Sequence, residues 1–454
     1  MRRLLVLTAL AGLVVGACSG STATTAPATA AASAAPASAA TSAAPALSGT
    51  VRVLIHQNPP LVDFMTAFNK TFEANHPGVT VDMSVVAAND LQTTMQTRLT
   101  ANDVDVFVST LTGLSNPVEP YMKGIDPPGW QSLISAGLLM DLTNEPFVKN
   151  YNATAVQQSG TFDGKVYAID MGRVGYSGLY YNKDLFTKNN VKVPTTWSEL
   201  VTACQTFKAA NIPCMTAGGK DGWPIFVGAY GLVGAAYPDQ AALVQGLWTG
   251  SIKYTDPNMV ALLNKYLIYE RDMMEPGASG LAGDAAPGRF ASGAVAMEAG
   301  GTWYAPAIAS ANPSFQWGYI PFPGSDNAAD NTYLFGKYDM AFSIAANTPN
   351  KDAAVAYLSD LSATETYSKF VAAVGLFPTQ DGVPFTSPIS ADLTPMLANF
   401  KIGQEQYWTA PKGAGPNANP FEVNMFKPFG TFTDATAAAQ AAQSDLDSGL
   451  SALK

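Results

Sequence analysis

The architecture of this chain depends on KVYAIDMGRVGYSGLYYNKDLFTKNNVKVPTTWSEL, residues 165–200. The first part of this stretch, with Val166 and Ile169, has the pattern of a short strand. Three glycines, Gly172, Gly175 and Gly178, then interrupt it. Glycines inside an extended run mark a bulge or a close approach of another backbone or a ligand. Further on, Thr196 is followed three residues later by Glu199, which is the capping-box spacing. We therefore expect an irregular extended crossing that leads into a well-defined helix start.

Two motifs in this stretch resemble those of a known family. Tyr181–Phe186 reads Tyr-Asn-Lys-Asp-Leu-Phe, and Pro194–Leu200 fits Pro-x-Thr-Trp-x-Glu-Leu. In this order, after a Gly-Lys-x-Tyr turn, they resemble the first family of extracellular solute-binding proteins, the sugar-binding subunits of ABC importers. The resemblance extends over nearly all of residues 49–454. It implies an α/β fold of the periplasmic-binding-protein type II, with two βα lobes joined by a hinge and a cleft between them.

Residues 50–109 alternate strand and helix patterns. Period-2 apolar runs at 51–55, 79–85 and 104–108 are separated by two segments with helical spacing. This βαβαβ order predicts a parallel sheet, in which ligands bind beyond the carboxyl ends of the strands. His56–Asn58 and Ser109–Leu111 follow two of those ends.

The lobe boundaries are expectations from the resemblance. It implies a first lobe from residues 49–165 plus about 322–370, and a second from about 166–321 plus 371–454. The length agrees with two domains, because the roughly 400 residues after the amino-terminal region exceed the size at which one core stops growing.

The amino terminus has the pattern of an export signal. Residues 1–17 carry two arginines, an apolar run and small residues. Val15–Cys18 also resembles a bacterial lipobox, which would place a lipid on Cys18; the alternative is an incidental cysteine beside an ordinary cleavage site. Residues 18–48 contain almost only Ala, Ser, Thr and Pro and are typical of a disordered tether. We expect an exported protein anchored by lipid to the outer face of the cell membrane.

The charge excludes some partners. Removal of residues 1–17 takes away Arg2 and Arg3 and no acidic residue, which leaves 23 basic and 35 acidic side chains and a net charge of −12. Such a surface argues against nucleic acid and against charge-driven docking onto anionic lipid. We expect the membrane to be reached through the lipid anchor only.

Besides Cys18, only Cys204 and Cys214 remain. In an exported protein this pair predicts a disulfide that closes a small loop. The alternative is a buried free thiol, because Cys204 shares a helical face with Leu200 and Phe207.

Tryptophans are the first candidates for ligand contacts. Residues 290–305, FASGAVAMEAGGTWYA, predict a helix, a buried strand and a Gly-Gly turn that delivers Trp303 to a strand-to-helix junction. In the family that the chain resembles, the tryptophan after these glycines often stacks on a sugar, which implies the same role for Trp303. Trp223 starts another predicted helix, where it either leans over the cleft or packs at the helix start. Trp408, in a loop-rich segment, is a third candidate.

Polar candidates complete the predicted site. A sugar presents an apolar C–H face and an edge of hydroxyls, so a cleft needs flat aromatics together with amides or carboxylates. The expected hydroxyl partners, each of which has a turn or cap role as its alternative, are Asn58, Asp221, Glu298 and Asp339. The further candidates are Ser109, Tyr176 and Tyr338.

These observations predict binding without catalysis. The two histidines, His56 and His76, form no metal motif, and neither a Gly-x-Ser-x-Gly elbow nor a phosphate loop is present. We expect a monomer, without cofactor or metal, that captures a sugar or oligosaccharide and delivers it to an ABC permease. The alternatives are a binder of another solute, such as a polyol or peptide, and a cell-surface glycoside hydrolase, whose two carboxylates need not be close in sequence.

Overall fold

Two large β-sheets organise the chain in the computed structural model, which describes residues 47–114 and 119–453. The strands are β1 (Gly49–His56), β2 (Val79–Val86), β3 (Val106–Thr110), β4 (Thr161–Phe162), β5 (Lys165–Val166), β6 (Ile169–Gly175), β7 (Gly178–Asn182), β8 (Met215–Thr216), β9 (Met297–Ala299), β10 (Trp317–Pro321), β11 (Leu334–Ile344) and β12 (Phe400–Ile402).

Helices surround both sheets. They are α1 (Pro59–Asn75), α2 (Leu91–Thr100), α3 (Gly129–Ser135), α4 (Ala153–Ser159), α5 (Lys183–Lys188), α6 (Trp197–Ala209), α7 (Trp223–Ala236), α8 (Gln240–Thr249), α9 (Pro257–Ile268), α10 (Ala286–Ala291), α11 (Ala305–Ser310), α12 (Lys351–Ser362), α13 (Thr364–Val374), α14 (Ser390–Leu397) and α15 (Ala435–Ser451). Within the described residues, no helix combines the length and apolar character needed to cross a bilayer. The predicted export signal, Cys18 and nearly all of the tether lie outside this range.

The first sheet has the strand order β12-β11-β3-β1-β2, and β6 pairs with β11. β1 is parallel to both β2 and β3, which confirms the βαβαβ order predicted for residues 50–109. Val53 and Val106, at the centre of the β1–β3 pair, are both fully buried, as expected of parallel strands covered on two faces.

The second sheet has the order β10-β7-β9-β8 and its own apolar core. Helix α7 is almost entirely apolar, from Ile225 to Gly234, and is buried on nearly all of its surface. A helix that is hydrophobic all round is a core helix rather than a surface one. It packs against β9, β11 and α9 and so fixes the position of Trp223 at its first turn.

The chain passes from the first sheet to the second through Tyr176 and Ser177, between β6 and β7. This point is later than residue 166, where the expected lobe boundary lies. The glycines around the crossing are sites of close approach: a Cβ at Gly172 would lie 2.7 Å from the Cβ of Leu376, and one at Gly178 would lie 2.1 Å from the ring of Tyr319. The segment from 322 to 333 forms the return crossing, from β10 to β11.

Helix α6 begins with the predicted capping box. The Thr196 hydroxyl accepts a hydrogen bond from the Glu199 backbone N–H at 3.3 Å, and the Glu199 carboxylate accepts one from the Thr196 N–H at 3.2 Å. Near the end of this helix, Cys204 forms a disulfide with Cys214, just before β8. The bond ties the helix to the edge of the second sheet.

Candidate ligand-binding cleft

A cavity of about 270 Å³ lies between the two sheets, at the carboxyl ends of the first-sheet strands. The residues that follow β1 and β3 line one side, and the starts of α7 and α11 line the other. At the ends of β1, β2 and β3 the lining consists of His56, Gln57, Asn58, Pro59, Pro60, Ala88, Asn89, Leu111 and Thr112. This is the position that the parallel order predicts for a ligand.

Two tryptophans form the aromatic wall of this cavity. The ring centroids of Trp223 and Trp303 are 6.0 Å apart, with an angle of 48° between the ring planes. Both side chains are partly exposed, and both line the cavity. Partly exposed indoles at a concave site offer apolar faces on which a flat or ring-shaped ligand can lie.

Trp303 is held by the turn between β9 and α11. The hydroxyl groups of Tyr180 and Tyr319 donate hydrogen bonds to the carbonyl oxygens of Gly301 (2.8 Å) and Gly300 (3.2 Å). A Cβ at Gly301 would lie only 1.9 Å from the Trp303 ring, so this position has no room for a side chain. The Gly-Gly sequence therefore fixes the direction in which the indole points.

The polar floor of the cavity comes from β11. Lys337 and Asp339 are two residues apart on this strand, so they face the same side, and both line the cavity. Met340 next to them has a φ of +60°, in the left-handed region that side chains other than glycine seldom adopt. The pairing with β3 also shifts in register between Ala341 and Phe342. This irregularity lies directly beside the candidate ligand contacts, where backbone strain is often found.

Lys337 is paired with Glu405, which lies just beyond β12. The Lys337 ammonium donates a hydrogen bond of 3.0 Å to Oε1 of Glu405. Burial alone would lower the pKa of Lys337, but the carboxylates of Glu405 and Asp339 outweigh it and raise this pKa. Burial raises the pKa of Asp339 to about 6, although Lys337 opposes the shift. The floor is thus a cluster of interacting charges.

His56 and Asn58 supply uncharged polar groups. Burial, reinforced by the nearby Lys337 ammonium, lowers the pKa of His56 to about 4, so its imidazole is neutral at physiological pH. Asn58 caps helix α1: its Oδ1 accepts a hydrogen bond from the Leu61 N–H at 3.4 Å. Asn58 also lines the cavity, and its amide N–H₂ group can act as a hydrogen-bond donor.

The cavity includes five of the ten ligand-contact candidates. These are Asn58, Tyr176, Trp223, Trp303 and Asp339. The other five, which are not in the lining, are Ser109, Asp221, Glu298, Tyr338 and Trp408.

Strand geometry explains two of the residues outside the lining. Ser109 is fully buried in the first sheet, where its hydroxyl donates to the carbonyl oxygen of Ala341 at 3.0 Å. Tyr338 lies between Lys337 and Asp339 on β11 and so faces the opposite side of the strand. Its hydroxyl donates to Oε1 of Gln158 at 2.8 Å.

The remaining three lie in the body of the second-sheet region. Trp408 is 6% exposed and belongs to its apolar core. Glu298 is fully buried on β9, and burial raises its pKa well above the usual value. Asp221 accepts a hydrogen bond from the Gly283 N–H at 2.7 Å and so supports a loop beside the cavity.

Sequence reasoning did not single out several residues of the lining. Glu405, Asn89, Phe226 and Asp284 all face the cavity. Glu405 and Asp284 lie in irregular segments without a periodic pattern or motif, so the sequence contains no signal that brings them to the cleft. Among the described residues, no group of three or more His, Cys, Asp or Glu side chains is arranged to hold a metal ion.

Comparison with known proteins identifies the family. The sequence profile described as "Bacterial extracellular solute-binding protein" matches residues 58–366. The "Multiple sugar-binding protein" of Streptococcus mutans is 25% identical over 315 residues, which cover 66% of this chain and 68% of that protein.

Solved structures share the fold. "SBP RafE in complex with raffinose" superposes with a TM-score of 0.70 at 23% identity and covers 90% of this chain and 100% of that one. A "Chitin oligosaccharide binding protein" gives a TM-score of 0.69 at 19% identity, with 89% and 99% covered. These matches confirm the type II periplasmic-binding-protein fold that the motifs predicted. The chain belongs to the bacterial extracellular solute-binding proteins.

Proposed function

We propose that this chain is the substrate-binding component of an ABC importer and that it captures a sugar or oligosaccharide in the cleft between its two sheets. The observation that carries the proposal is the cavity lined by Trp223 and Trp303 on one side and by polar side chains on the other. The faces of the two indoles can pack against the C–H face of a pyranose, and the side chains of Asn58 and Asp339 can hydrogen-bond its hydroxyl groups. The names of the related proteins, which refer to sugars, raffinose and chitin oligosaccharides, support the same ligand class.

The mechanism we propose is closure of two lobes around the ligand. A ligand that contacts both sides only in the closed state shifts the open–closed equilibrium towards closure. The two crossings, at 176–177 and 322–333, are the proposed hinges. We propose that the lobes follow the sequence-based division into residues 49–165 with about 322–370 and about 166–321 with 371–454, with the first boundary moved to 175/176 because β6 pairs with β11 of the first sheet.

We further propose that the protein acts as a monomeric lipoprotein. A lipid on Cys18 and the Ala/Ser/Thr/Pro-rich tether would hold the folded part near the outer face of the membrane, within reach of the permease. Replacement of Cys18 by Ser should abolish labelling with a radioactive fatty acid and release the protein into the medium. Labelling that persists in Cys18→Ser would contradict the anchor.

The test of the ligand class is a saccharide screen on purified residues 49–454. A ligand that binds only the native state raises its apparent stability, so a subset of sugars should raise the melting temperature and change the tryptophan fluorescence. Polyols and peptides in the same screen test the alternative solutes. A chromogenic glycoside should remain intact, since we propose binding without bond cleavage. A panel with no shift from any sugar would contradict the proposal.

A further inference from the structure

We propose that Glu405 sets the charge selectivity of the cleft: by holding the Lys337 ammonium, it makes the cavity accept uncharged saccharides and reject those with a carboxylate. The inference rests on the proposed function and adds a specificity-determining residue to it. Lys337 and Glu405 are both in the lining, and their charged groups are 3.0 Å apart.

The charges in the lining are unbalanced. Among the lining residues in the described part of the chain, Lys337 is the one cationic side chain, and three carboxylates accompany it. These carboxylates belong to Asp284, Asp339 and Glu405. His56 does not restore the balance, because burial and Lys337 lower its pKa and leave it neutral.

The ammonium is already committed to protein carboxylates. Lys337 donates to Oε1 of Glu405, and both side chains are largely buried, with 14% and 22% exposure. Asp339 faces the same side of β11 as Lys337, and its Oδ1 accepts a hydrogen bond from the Met340 N–H at 2.9 Å. Glu422 is a further acidic neighbour of Lys337: burial, then the negative charge of Glu405, raise its pKa to about 8, so that it is mostly protonated at pH 7. The charged neighbours of Lys337 in the lining, Asp339 and Glu405, are both acidic.

An anionic ligand would meet this arrangement unfavourably. A sugar carboxylate placed on the floor would approach Asp339 and Glu405, whereas the one ammonium that could attract it is already paired with Glu405. Like charges brought together in a poorly hydrated site repel strongly, and specificity often depends on such repulsion. A neutral sugar does not meet this repulsion, because its hydroxyl groups can donate hydrogen bonds to the carboxylate oxygens of the lining.

Replacement of Glu405 by Gln should weaken or abolish this preference. The amide has nearly the same shape and can still accept from Lys337, but it no longer neutralises the ammonium. The lining then loses one negative charge, and Lys337 becomes available to a ligand carboxylate. The change concerns selectivity, so the informative quantity is the ratio between the affinities for a neutral sugar and for its acid.

The experiment uses matched pairs of probes on purified residues 49–454: glucose with glucuronate, galactose with galacturonate, and cellobiose with cellobiouronate. Calorimetric titration at pH 7 keeps the uronates ionised and lies below the pKa of Glu422. Wild-type protein should bind the neutral member of a recognised pair at least about tenfold more tightly than the acid, and Glu405→Gln should reduce this ratio about tenfold or more. Asp339→Asn should also reduce it, which provides a second variant if Glu405→Gln does not fold.

Two further variants define the mechanism. Glu405→Gln combined with Lys337→Gln should lose the gained uronate binding, because the ammonium is the group that attracts the acid. Glu365→Gln removes the same charge from an exposed carboxylate, which pairs with Lys369 at 2.7 Å on α13, and should leave the ratio unchanged.

Equal binding of both members by wild-type protein would overturn the charge inference and leave the proposed function standing, as would an unchanged ratio in a folded Glu405→Gln. Failure to bind any of these probes, together with a saccharide screen in which no sugar binds, would overturn the proposed function and the inference with it.

Discussion

The Asn89 side-chain nitrogen lies 3.3 Å from the carbonyl oxygen of Asp221 and donates a hydrogen bond to it. Asn89 follows β2 of the first sheet, and Asp221 lies two residues before Trp223 on the other side of the cavity. This bond links the two walls of the cleft at its rim. If the lobes close around the ligand as proposed, this bond forms only in the closed state.

Replacement of Asn89 by Ala should weaken ligand affinity a few-fold, since one exposed hydrogen bond contributes about 0.5–1 kcal/mol. Most of the loss should appear as faster dissociation, because the bond exists only when the walls are close. Stopped-flow tryptophan fluorescence measures both rates. Asn258→Ala, an exposed change at the start of α9, is the matched control and should leave them unaltered. A slower association with unchanged dissociation in Asn89→Ala would contradict this role.

Trp303 should be the main aromatic contact. Trp303→Ala should weaken sugar binding at least about tenfold, because the loss of a stacked ring removes apolar contact area as well as the specific ring interaction. Isothermal calorimetry with the best sugar from the screen measures the effect. Trp408→Phe is the comparison: Trp408 is buried in the core, so this variant should lower the melting temperature while the affinity stays the same. Equal loss of affinity in both variants would contradict the assignment of Trp303.

Glu270 should make stability depend on pH. Its Oε2 accepts a hydrogen bond from the Phe426 N–H at 2.6 Å, and burial raises its pKa to about 8, against a usual value of 4.5. Between these two values the folded protein holds a proton that the unfolded chain releases, so stability falls as pH rises from about 5 to about 8. The neighbouring tyrosines, Tyr266 and Tyr269, have pKa values raised by burial and remain neutral in this range.

Glu270→Gln should flatten this dependence, because the amide cannot ionise. Thermal unfolding of wild type and variant at pH 5, 6.5 and 8 measures it, with the exposed Glu365→Gln as the control. The variant should gain stability relative to wild type as pH rises. A difference between the two proteins that stays constant with pH would show that Glu270 does not titrate as described.

The disulfide should stabilise the fold without affecting the ligand. Cys204 and Cys214 are 10 residues apart in sequence. By restricting the unfolded chain, a disulfide that closes a loop of this length raises the free energy of unfolding by about 2–3 kcal/mol. The double variant Cys204→Ser with Cys214→Ser should therefore melt several degrees lower and keep its affinity, because neither residue lines the cavity. An affinity change as large as that of Trp303→Ala would contradict this separation.

Local patterns predicted the parts of the structure that depend on neighbouring residues. The parallel βαβαβ order follows from strict apolar alternation, and the α6 start follows from the Thr196–Glu199 spacing. The Gly300-Gly301 sequence predicted the position of Trp303, because the tight turn restricts the orientation of its indole ring.

Residues whose place depends on long-range packing could not be found in this way. Trp408 follows Tyr407 and Trp223 follows Gly222, and neither local sequence tells the two apart, because only the packing of the second-sheet region buries Trp408 and leaves Trp223 at the cavity. Glu405 reaches Lys337 across 68 residues of sequence, without any motif to mark the pair. Side chains alternate between the two faces of a strand, so Tyr338 and Asp339 could have been assigned to opposite faces if the register of β11 had been known.

A crystal structure of residues 49–454 with a bound saccharide would show whether the cleft between the two sheets captures a sugar. We expect a pyranose ring lying against Trp303 or Trp223, with hydroxyls hydrogen-bonded to Asp339 and Asn58 and no bond of the sugar broken. A saccharide bound elsewhere on the surface, with the space between the two tryptophans unoccupied, would contradict it.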